Sequence, residues 1–247
     1  MKILVCISHV PDTTAKISFT NDNKTYNKDN VQFIISPYEE LALTRALELK
    51  EAKGEGTITV INVGGAETEP TLRKALAMGA DDAIRVNAEA TDAYFVATQI
   101  AEVAKANSYD IILTGKESID YNGGQVGEMI AEILDIPSIT SVSAIDVDGN
   151  KGILEREIDG GYEKMECEFP FVGSGQKGIA PEPRIPAMRG IMMARKKPLA
   201  VVEPTNSDNL TEVEVHTLPE PKGACKIIDA DNAKELIRLL HEEAKAL

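Results

Sequence analysis

The sequence predicts an α/β fold with a mostly parallel, doubly wound sheet, and two observations support that prediction. Short apolar segments alternate with longer segments of helical periodicity as far as Leu134, the order that right-handed crossovers between parallel strands produce. The composition agrees, because 43% of the residues are hydrophobic, only 4% are aromatic and tryptophan is absent. A core made of aliphatic side chains is typical of parallel sheets covered by helices.

The individual elements follow from aliphatic runs and from helical spacing of apolar side chains. Four buried strands are predicted at Lys2–Ile7, Thr57–Val63, Ala83–Val86 and Asp110–Thr114. Four helices alternate with them, at Pro37 to about Ala52, Pro70–Met78, Ala93–Ala106 and Val126–Leu134. The first helix should begin with a capping box, because Ser36 precedes Pro37 and Glu39 follows three residues after the serine.

The pattern changes after Pro137. Two turn signals, Asp148-Gly149-Asn150 and Asp159-Gly160-Gly161, lie next to apolar stretches and predict an antiparallel extension of the same sheet. Gly173–Gly178 matches the GxGxxG dinucleotide motif by its letters alone. Because Ile179-Ala180-Pro181-Glu182-Pro183 follows where that motif requires a helix, we predict an ordinary loop there.

The sequence of the last part of the chain predicts an extended arm followed by a helix. Residues 203–222 are mostly polar and contain three prolines, so they should be extended, and residues 231–247 have the spacing of an amphipathic helix. We therefore expect an α/β domain over residues 1–202. Residues 203–247 should form an extended arm and a C-terminal helix.

Bulk properties argue against several classes of function. A net charge of −14 does not suit a nucleic-acid partner, whose phosphates require clustered cations. The three cysteines contain no CxxC pair, so no metal site is indicated, and none of the three histidines has a catalytic partner at recognisable spacing. No apolar run is long enough for membrane insertion and no targeting segment is visible, which predicts a cytoplasmic protein.

A ligand site is expected where the parallel strands end, because ligands of open α/β sheets bind beyond the carboxyl ends of the strands. Four loops qualify: Ser8–Val10, Ser36–Glu39, Gly64–Ala66 and Gly115–Gly127. The last is the best candidate for a phosphate site, since its glycines allow close backbone approach and a helix begins there. Composition alone fits a flexible turn before a helix equally well.

The segment Arg184–Lys197 is unusual in so acidic a chain. It places five cations beside Ile185, Ile191 and three methionines. If the apolar side chains are exposed, the segment would suit an acidic protein partner, because methionine adapts to varied surfaces. Alternatively, the apolar side chains pack internally and the cations are merely solvated.

Four blocks of this sequence together resemble the β subunit of electron transfer flavoproteins. They are Leu76–Asp81, Gly115–Gly127 with its helix Glu128–Leu134, Glu155–Glu163 and Pro183–Lys197. The resemblance implies a Rossmann-like, adenine-nucleotide-binding fold in an αβ heterodimer. It further implies an electron carrier, not an enzyme in isolation, that accepts electrons from flavoprotein dehydrogenases and passes them to a quinone-linked or other acceptor.

The resemblance also implies cofactors and site residues. FAD would be shared with, and mainly bound by, the α subunit, with Tyr38 near the flavin, whereas the β subunit would hold a structural AMP. The cofactor-binding positions would be Cys6, Ser36, Pro37, Tyr38, Glu39, Gly64, Gly115, Asp120, Asn122, Gly123, Gly124, Gln125 and Val126. Partner recognition would fall to Arg184, Ile185, Pro186, Ala187, Met188, Arg189, Gly190, Ile191, Met192 and Met193, with Met188 as the apolar anchor.

Two alternatives remain open at this level. The family's common form often has Asn-Gln-Thr where this chain has Gly124-Gln125-Val126, so two side-chain donors are missing. A Gln-Val-Gly sequence also occurs in electron-bifurcating relatives, whose β subunit binds a second FAD in place of AMP. A different class of protein, a stand-alone ATP-binding stress or regulatory protein, has a similar α/β architecture.

Overall fold

The computed structural model describes residues 1–246, with thirteen strands, six α-helices and a 3-10 turn at Ala66–Thr68. In chain order the strands are β1 (Lys2–Cys6), β2 (His9–Pro11), β3 (Phe19–Thr20), β4 (Thr25–Tyr26), β5 (Phe33–Ile35), β6 (Thr57–Val63), β7 (Asp82–Val86), β8 (Ile111–Gly115), β9 (Ser138–Asp148), β10 (Lys151–Ile158), β11 (Gly161–Glu168), β12 (Phe171–Gly175) and β13 (Leu199–Val202). The helices are α1 (Pro37–Lys53), α2 (Glu69–Met78), α3 (Ala93–Asn107), α4 (Val126–Leu134), α5 (Met188–Ala194) and α6 (Ala233–Glu242).

Nine strands form one sheet, in the order β11-β10-β9-β12-β8-β1-β6-β7-β13. Every pairing from β9 to β13 along this order is parallel. The two pairings at the other end, β9 with β10 and β10 with β11, are antiparallel hairpins. The predicted α/β fold, a mostly parallel sheet with an antiparallel extension, is therefore confirmed.

Helices cover both faces of the sheet. Side chains of successive strand residues point to opposite faces, so each central strand packs against helices on both sides. Val5, Val60 and Leu113 lie on the face covered by α1 and α2, where Leu43 and Leu72 pack against the sheet. The intervening residues of the same strands, such as Leu4, Ile61 and Ile112, lie on the face of α3 and α4 with Ile100 and Ile130. Burying each such side chain contributes roughly 1.5–3 kcal/mol, so the central strands hold the layers together.

The order of the strands creates a crevice at the centre of the sheet. From β1 the chain passes through α1 to β6 and through α2 to β7, and α3 then returns it to β8 on the opposite side of β1. The connections after β1 and β8 therefore leave the sheet toward opposite faces. The space between them, beyond Cys6 and Gly115, is the topological switch point at which such folds bind ligands.

Two local predictions are wrong. The Ser36 side chain makes no capping hydrogen bond and the Glu39 carboxylate is bound by Ser8, so the predicted capping box does not form. Gly173–Gly175 is not a loop but the end of strand β12, paired with β8 and β9 inside the sheet. Glycine serves packing there, since a Cβ on Gly175 would lie 3.0 Å from Ile179 Cδ1. The turn comes later, at Gly178, whose φ is +109°.

The chain has no helix or strand between Val202 and Ala233 in the part that the structure describes. Side chains of the body hold this arm at several points. Gln99 exchanges two hydrogen bonds with the Thr205 backbone, at 2.7 and 2.9 Å, and the His216 ring stacks on Phe19 with centroids 4.6 Å apart. Helix α6 is shorter than predicted, and Leu247 lies outside the described residues.

Asp92 links the arm to the body, and two variants should separate its two roles. One carboxylate oxygen caps α3 by accepting the Phe95 N–H at 2.7 Å, while the other accepts the N–H groups of Leu210 and Thr211 at 2.6 and 2.9 Å. Asp92→Asn keeps an acceptor for the cap but loses the second oxygen, so only the arm amides should exchange hydrogen faster. Asp92→Ala should in addition lower the free energy of unfolding by about 1 kcal/mol.

Hydrogen exchange followed by mass spectrometry, together with urea denaturation, measures both effects. Unchanged exchange at residues 205–216 in both variants would contradict the tethering role of Asp92.

Candidate functional site

The candidate site lies at the switch point, where the end of β8 meets the start of α1. A Cβ placed on Gly115 would lie 3.0 Å from Glu39 Cγ and 3.1 Å from Tyr38 Cβ, so a larger residue would push these side chains aside. The Cys6 side chain is buried at the end of the neighbouring strand β1. Burial, with a smaller effect of the nearby Glu39, raises the pKa of the Cys6 thiol far above its usual range, which makes it a packing group and not a nucleophile.

Glu39 is a buried carboxyl group inside this crevice. It accepts a hydrogen bond from the Ser8 N–H at 2.5 Å and a second from the Ser8 hydroxyl. Burial raises the pKa of Glu39 to about 7; the bonds from Ser8 oppose that shift and the charge of Asp120 adds to it. The two bonds fasten the connection after β1 to the first turn of α1, and they draw Glu39 away from the capping position.

The loop between β8 and α4 has a defined shape. The Lys116 N–H donates to the Gly175 carbonyl at 2.8 Å, and the Ser118 N–H donates to the Gly123 carbonyl at 2.9 Å. Asn122 adopts a left-handed conformation with φ of +51°, which turns the chain toward the helix. Gly124 has no room for a side chain, since a Cβ would lie 2.9 Å from the Lys116 carbonyl oxygen.

Helix α4 begins beside this loop with a free amino end. Gln125 precedes the helix and its side chain makes no capping bond, and the first turn contains Gly127. A Cβ on Gly127 would lie 2.8 Å from Thr114 Oγ1, so the helix starts directly against the end of β8. Unpaired N–H groups and the positive end of the helix dipole make such an end suitable for an anion.

Gly64 forms the other side of the crevice, at the end of β6. Its N–H donates to the Val86 carbonyl at 3.0 Å and its carbonyl accepts from Arg85 Nη1 at 2.9 Å. A Cβ at this position would lie 2.7 Å from Asn62 Oδ1, and Asn62 itself donates to the Ile7 carbonyl at 2.8 Å. Asn62 and Arg85 are buried supports of the site that the sequence reasoning missed. The signal for each was a polar residue one position before the valine that ends a buried strand.

Three buried side-chain oxygen atoms of this region, Ser36 Oγ, Asn62 Oδ1 and Thr114 Oγ1, have no hydrogen-bond partner among residues 1–246, and neither does the buried Nε of Arg85. The residues of all three oxygen atoms lie at or just beyond the carboxyl edge of the sheet, and buried polar atoms are rarely left without a partner. A bound polar ligand or ordered water would satisfy them. The uncapped end of α4, these three atoms and the closely fitting Gly64, Gly115 and Gly124 suit a nucleotide with its phosphate at the helix.

The segment Pro183–Lys197 is a second exposed feature, and its helix α5 contacts α2 rather than lining the crevice. Ile185 and Met188 are 87% and 76% exposed, and Met192 and the cations Arg189, Arg195 and Lys196 are also exposed. The apolar side chains thus do not pack internally. Arg184 differs from the rest, because its guanidinium pairs with the Glu51 carboxylate at 2.6 and 2.8 Å. That hydrogen bond lowers the pKa of Glu51.

Comparisons with known proteins agree along the whole chain. The model of the electron transfer flavoprotein domain family matches residues 24–207. The electron transfer flavoprotein subunit beta of Bacillus subtilis is 37% identical over 262 aligned residues, which cover all of both chains. The subunit of the same name from Syntrophomonas wolfei is 36% identical over 91% of this chain and 88% of its own, and the human one is 32% identical over 98% and 97%.

Two searches of residues 1–246 concern other kinds of site. None of the helices there is both long and apolar enough to cross a membrane. In that same part of the chain, no cluster of three or more histidine, cysteine, aspartate or glutamate side chains is placed to hold a metal ion.

Glu39→Gln should change how stability depends on pH. In the folded protein the carboxyl titrates near pH 7, whereas its ordinary value is 4.5, so the folded state keeps a proton that the unfolded chain releases between these values. The contribution of Glu39 is therefore fully present below about pH 4.5 and is lost as the pH rises through about 7. The loss is on the order of 3 kcal/mol.

A glutamine can keep both bonds to Ser8, since its oxygen accepts and its amide donates. The variant should thus be more stable than wild type near pH 8 and should show a flatter profile, measured by urea denaturation at several pH values. Ser8→Ala, which removes a hydroxyl donor that favours the charged carboxylate, should move the transition to higher pH. Parallel profiles for wild type and Glu39→Gln would refute the assignment.

Proposed function

Because the chain belongs to the electron transfer flavoprotein family, we propose that it is the β subunit of an αβ heterodimer that accepts electrons from flavoprotein dehydrogenases and delivers them to a quinone-linked or other acceptor. The family model covers most of the chain, and relatives named as β subunits align from end to end. FAD, held mainly by the α subunit, would supply the redox chemistry. This chain would contribute binding surfaces and not bond-making groups.

The nucleotide proposed for the crevice is a structural AMP. The observation that carries this proposal is the uncapped amino end of α4 at a switch point with three unsatisfied buried oxygen atoms. The backbone of Gly123–Val126 would hold the phosphate, and backbone groups of Cys6 and Gly64 would face the adenine or the ribose. Asp120 and Asn122 would shape the loop, where the Tyr121 N–H already donates to the Asp120 carboxylate at 2.9 Å.

A second FAD in the same site is the alternative, and the residues at 124 and 126 favour it because they offer no side-chain donors. The electrostatics of the crevice favour AMP. The charge of Asp120 raises the pKa of Glu39, so the two carboxyl groups lie near enough to interact, and a further phosphate would add negative charge to the same region. Tyr38, half-buried at the mouth of the crevice, would approach the flavin of the α subunit.

The arm is proposed as the contact with the α subunit. Its apolar side chains Leu210, Val213, Val215 and Leu218 are exposed, and Ile227 is 89% exposed. Helix α6 likewise exposes Leu236 and Ile237. An isolated protein rarely exposes so much apolar surface on one segment without a partner. This surface also speaks against a stand-alone ATP-binding regulatory protein, which would be a stable, soluble homodimer when the chain is expressed alone.

The identity of the bound nucleotide tests the proposal directly. Acid treatment of the purified αβ complex should release AMP and FAD in equal amounts, identified by mass spectrometry. Twice as much FAD without AMP would establish the second-FAD alternative, and a complex lacking both nucleotides would refute the proposed function.

Gly124→Val should abolish nucleotide retention. Its Cβ would meet the Lys116 carbonyl oxygen at 2.9 Å, which forces the phosphate loop to move. The released AMP should fall to less than about a tenth of the wild-type amount, corresponding to a loss of more than 1.4 kcal/mol in binding. Gly161→Ala is a suitable control because its Cβ would meet only open space. Full AMP content in Gly124→Val would place the nucleotide elsewhere.

Met188→Ala should slow reduction by a partner dehydrogenase without changing FAD content. An exposed side chain that becomes the anchor of an interface commonly contributes about 2 kcal/mol, so KM for the complex should rise by roughly 30-fold. Ile153→Ala, which truncates another exposed apolar side chain on β10, should leave KM unchanged. Equal KM values in wild type and Met188→Ala would exclude docking through this segment.

A further inference from the structure

Helix α5, in the proposed docking segment Pro183–Lys197, makes little apolar contact with the rest of the chain. Ala194 is its only buried residue, while Ile191, Met192 and Met193 remain exposed. A helix of seven residues also has little stability of its own in water. Its orientation must therefore be fixed by something other than a hydrophobic face.

Two long cationic side chains join α2 to the end of α5. One belongs to α2 and the other lies three residues beyond α5. Arg73 of α2 donates through Nη1 to the carbonyls of Ala194 and Lys197, at 3.0 and 2.9 Å, where α5 ends. Lys197 donates through Nζ to the carbonyls of Leu76 and Ala80, at 3.0 and 2.5 Å, where α2 ends. Arg73 thus binds the carboxyl end of α5, and Lys197 binds the carboxyl end of α2. The carboxyl end of a helix favours positive charge.

Gly190 brings the two helices into backbone contact. A Cβ at this position would lie 2.5 Å from the Ala77 carbonyl oxygen, so the backbone of α5 rests directly on the last turn of α2. Arg73 is itself steadied by Glu69, one turn earlier on α2, at 3.2 Å. The contact between α2 and α5 is therefore mainly polar and backbone-mediated, which makes the two cations its decisive side chains.

We propose that Arg73 and Lys197 are positioning residues for docking, which hold α5 so that Met188 and Met192 project toward a partner protein. The inference rests on the proposed docking role of α5. Neither cation would contact the partner, because both are engaged with carbonyls of their own chain. A surface already held in its binding orientation loses less conformational freedom on association.

The test uses Arg73→Met and Lys197→Met in the complete αβ complex. Methionine keeps most of the aliphatic length while removing the donors. Lys74→Met is the matched control, since it removes one cation from the same helix but one that pairs with Glu40 and not with α5. The probe is a flavoprotein dehydrogenase that reduces the wild-type complex, and the readouts are KM for the complex, kcat, FAD content and hydrogen exchange of residues 188–197.

Both variants should raise KM by roughly 5- to 10-fold with kcat and FAD content unchanged, and the amides of α5 should exchange about 10-fold faster. The KM ratio to wild type should persist at high salt, because salt screens a lost steering charge but not a lost carbonyl contact. Arg73→Lys and Lys197→Arg should recover most of the wild-type KM.

Unchanged KM or unchanged exchange in both variants would overturn the proposal. So would a parallel loss of FAD content, which would indicate general destabilisation. Met188→Ala in the same assay distinguishes a failure of the positioning role from a failure of the docking role. If it raises KM while the cation variants do not, only the positioning role fails; if it too has no effect, the docking role of α5 fails and the inference fails with it.

Discussion

The parallel pairing of β1 with β8 is the interaction on which the rest of the structure depends. Ile3 lies opposite Ile111 and Val5 opposite Leu113, so the two strands end within one residue of each other, at Cys6 and Gly115. Because the chain leaves these two strands toward opposite faces of the sheet, a crevice opens between their connections. The burial of the central aliphatic side chains thus determines where the proposed nucleotide would be held, although none of those side chains needs to touch it.

The crevice contains residues that depart from the usual patterns of helix capping and of hydrogen bonding by buried polar atoms. Ser36 and Glu39 could have formed a capping box, but the carboxyl group is bound by Ser8 and is held where burial disfavours its charge. Thr114 and Asn62 likewise keep unsatisfied oxygen atoms in a chain whose other buried strand residues are mostly aliphatic. Such local conflicts are expected where function, and not stability, has determined the residue.

The surface of the chain combines exposed apolar side chains with polar contacts that hold their segments in place. Many of its exposed apolar side chains lie in two segments, Pro183–Lys197 and the arm. Polar contacts hold both segments to the body, through Arg73 and Lys197 in one case and through Gln99 and Asp92 in the other. Polar anchoring leaves the apolar atoms free, which agrees with the proposal that each segment serves a different protein partner.

The sequence by itself determined the alternation of strands and helices, the antiparallel extension and the family. Aliphatic runs such as Thr57–Val63 are long and regular enough to specify a buried strand, and the blocks around Gly115 and Pro183 carry the resemblance. The glycine-rich stretch at residues 173–178 led to the wrong prediction of a loop, because glycine is usually depleted in strands but also occurs in them where another group approaches the backbone closely. Only its neighbours β8 and β9, far away in sequence, decided that Gly173–Gly175 belongs to the sheet.

Tertiary structure alone also decided the partners of individual polar groups. Glu39 bonds to Ser8, 31 residues earlier, and Arg73 reaches carbonyls 121 and 124 residues later. Sequence patterns report helical and strand periodicity over a few residues, and they do not encode which distant carbonyl a long side chain will meet. The place of the candidate site at the strand ends could therefore be predicted from the chain, whereas the helix α5 and the contacts that hold both regions follow only from how the layers pack.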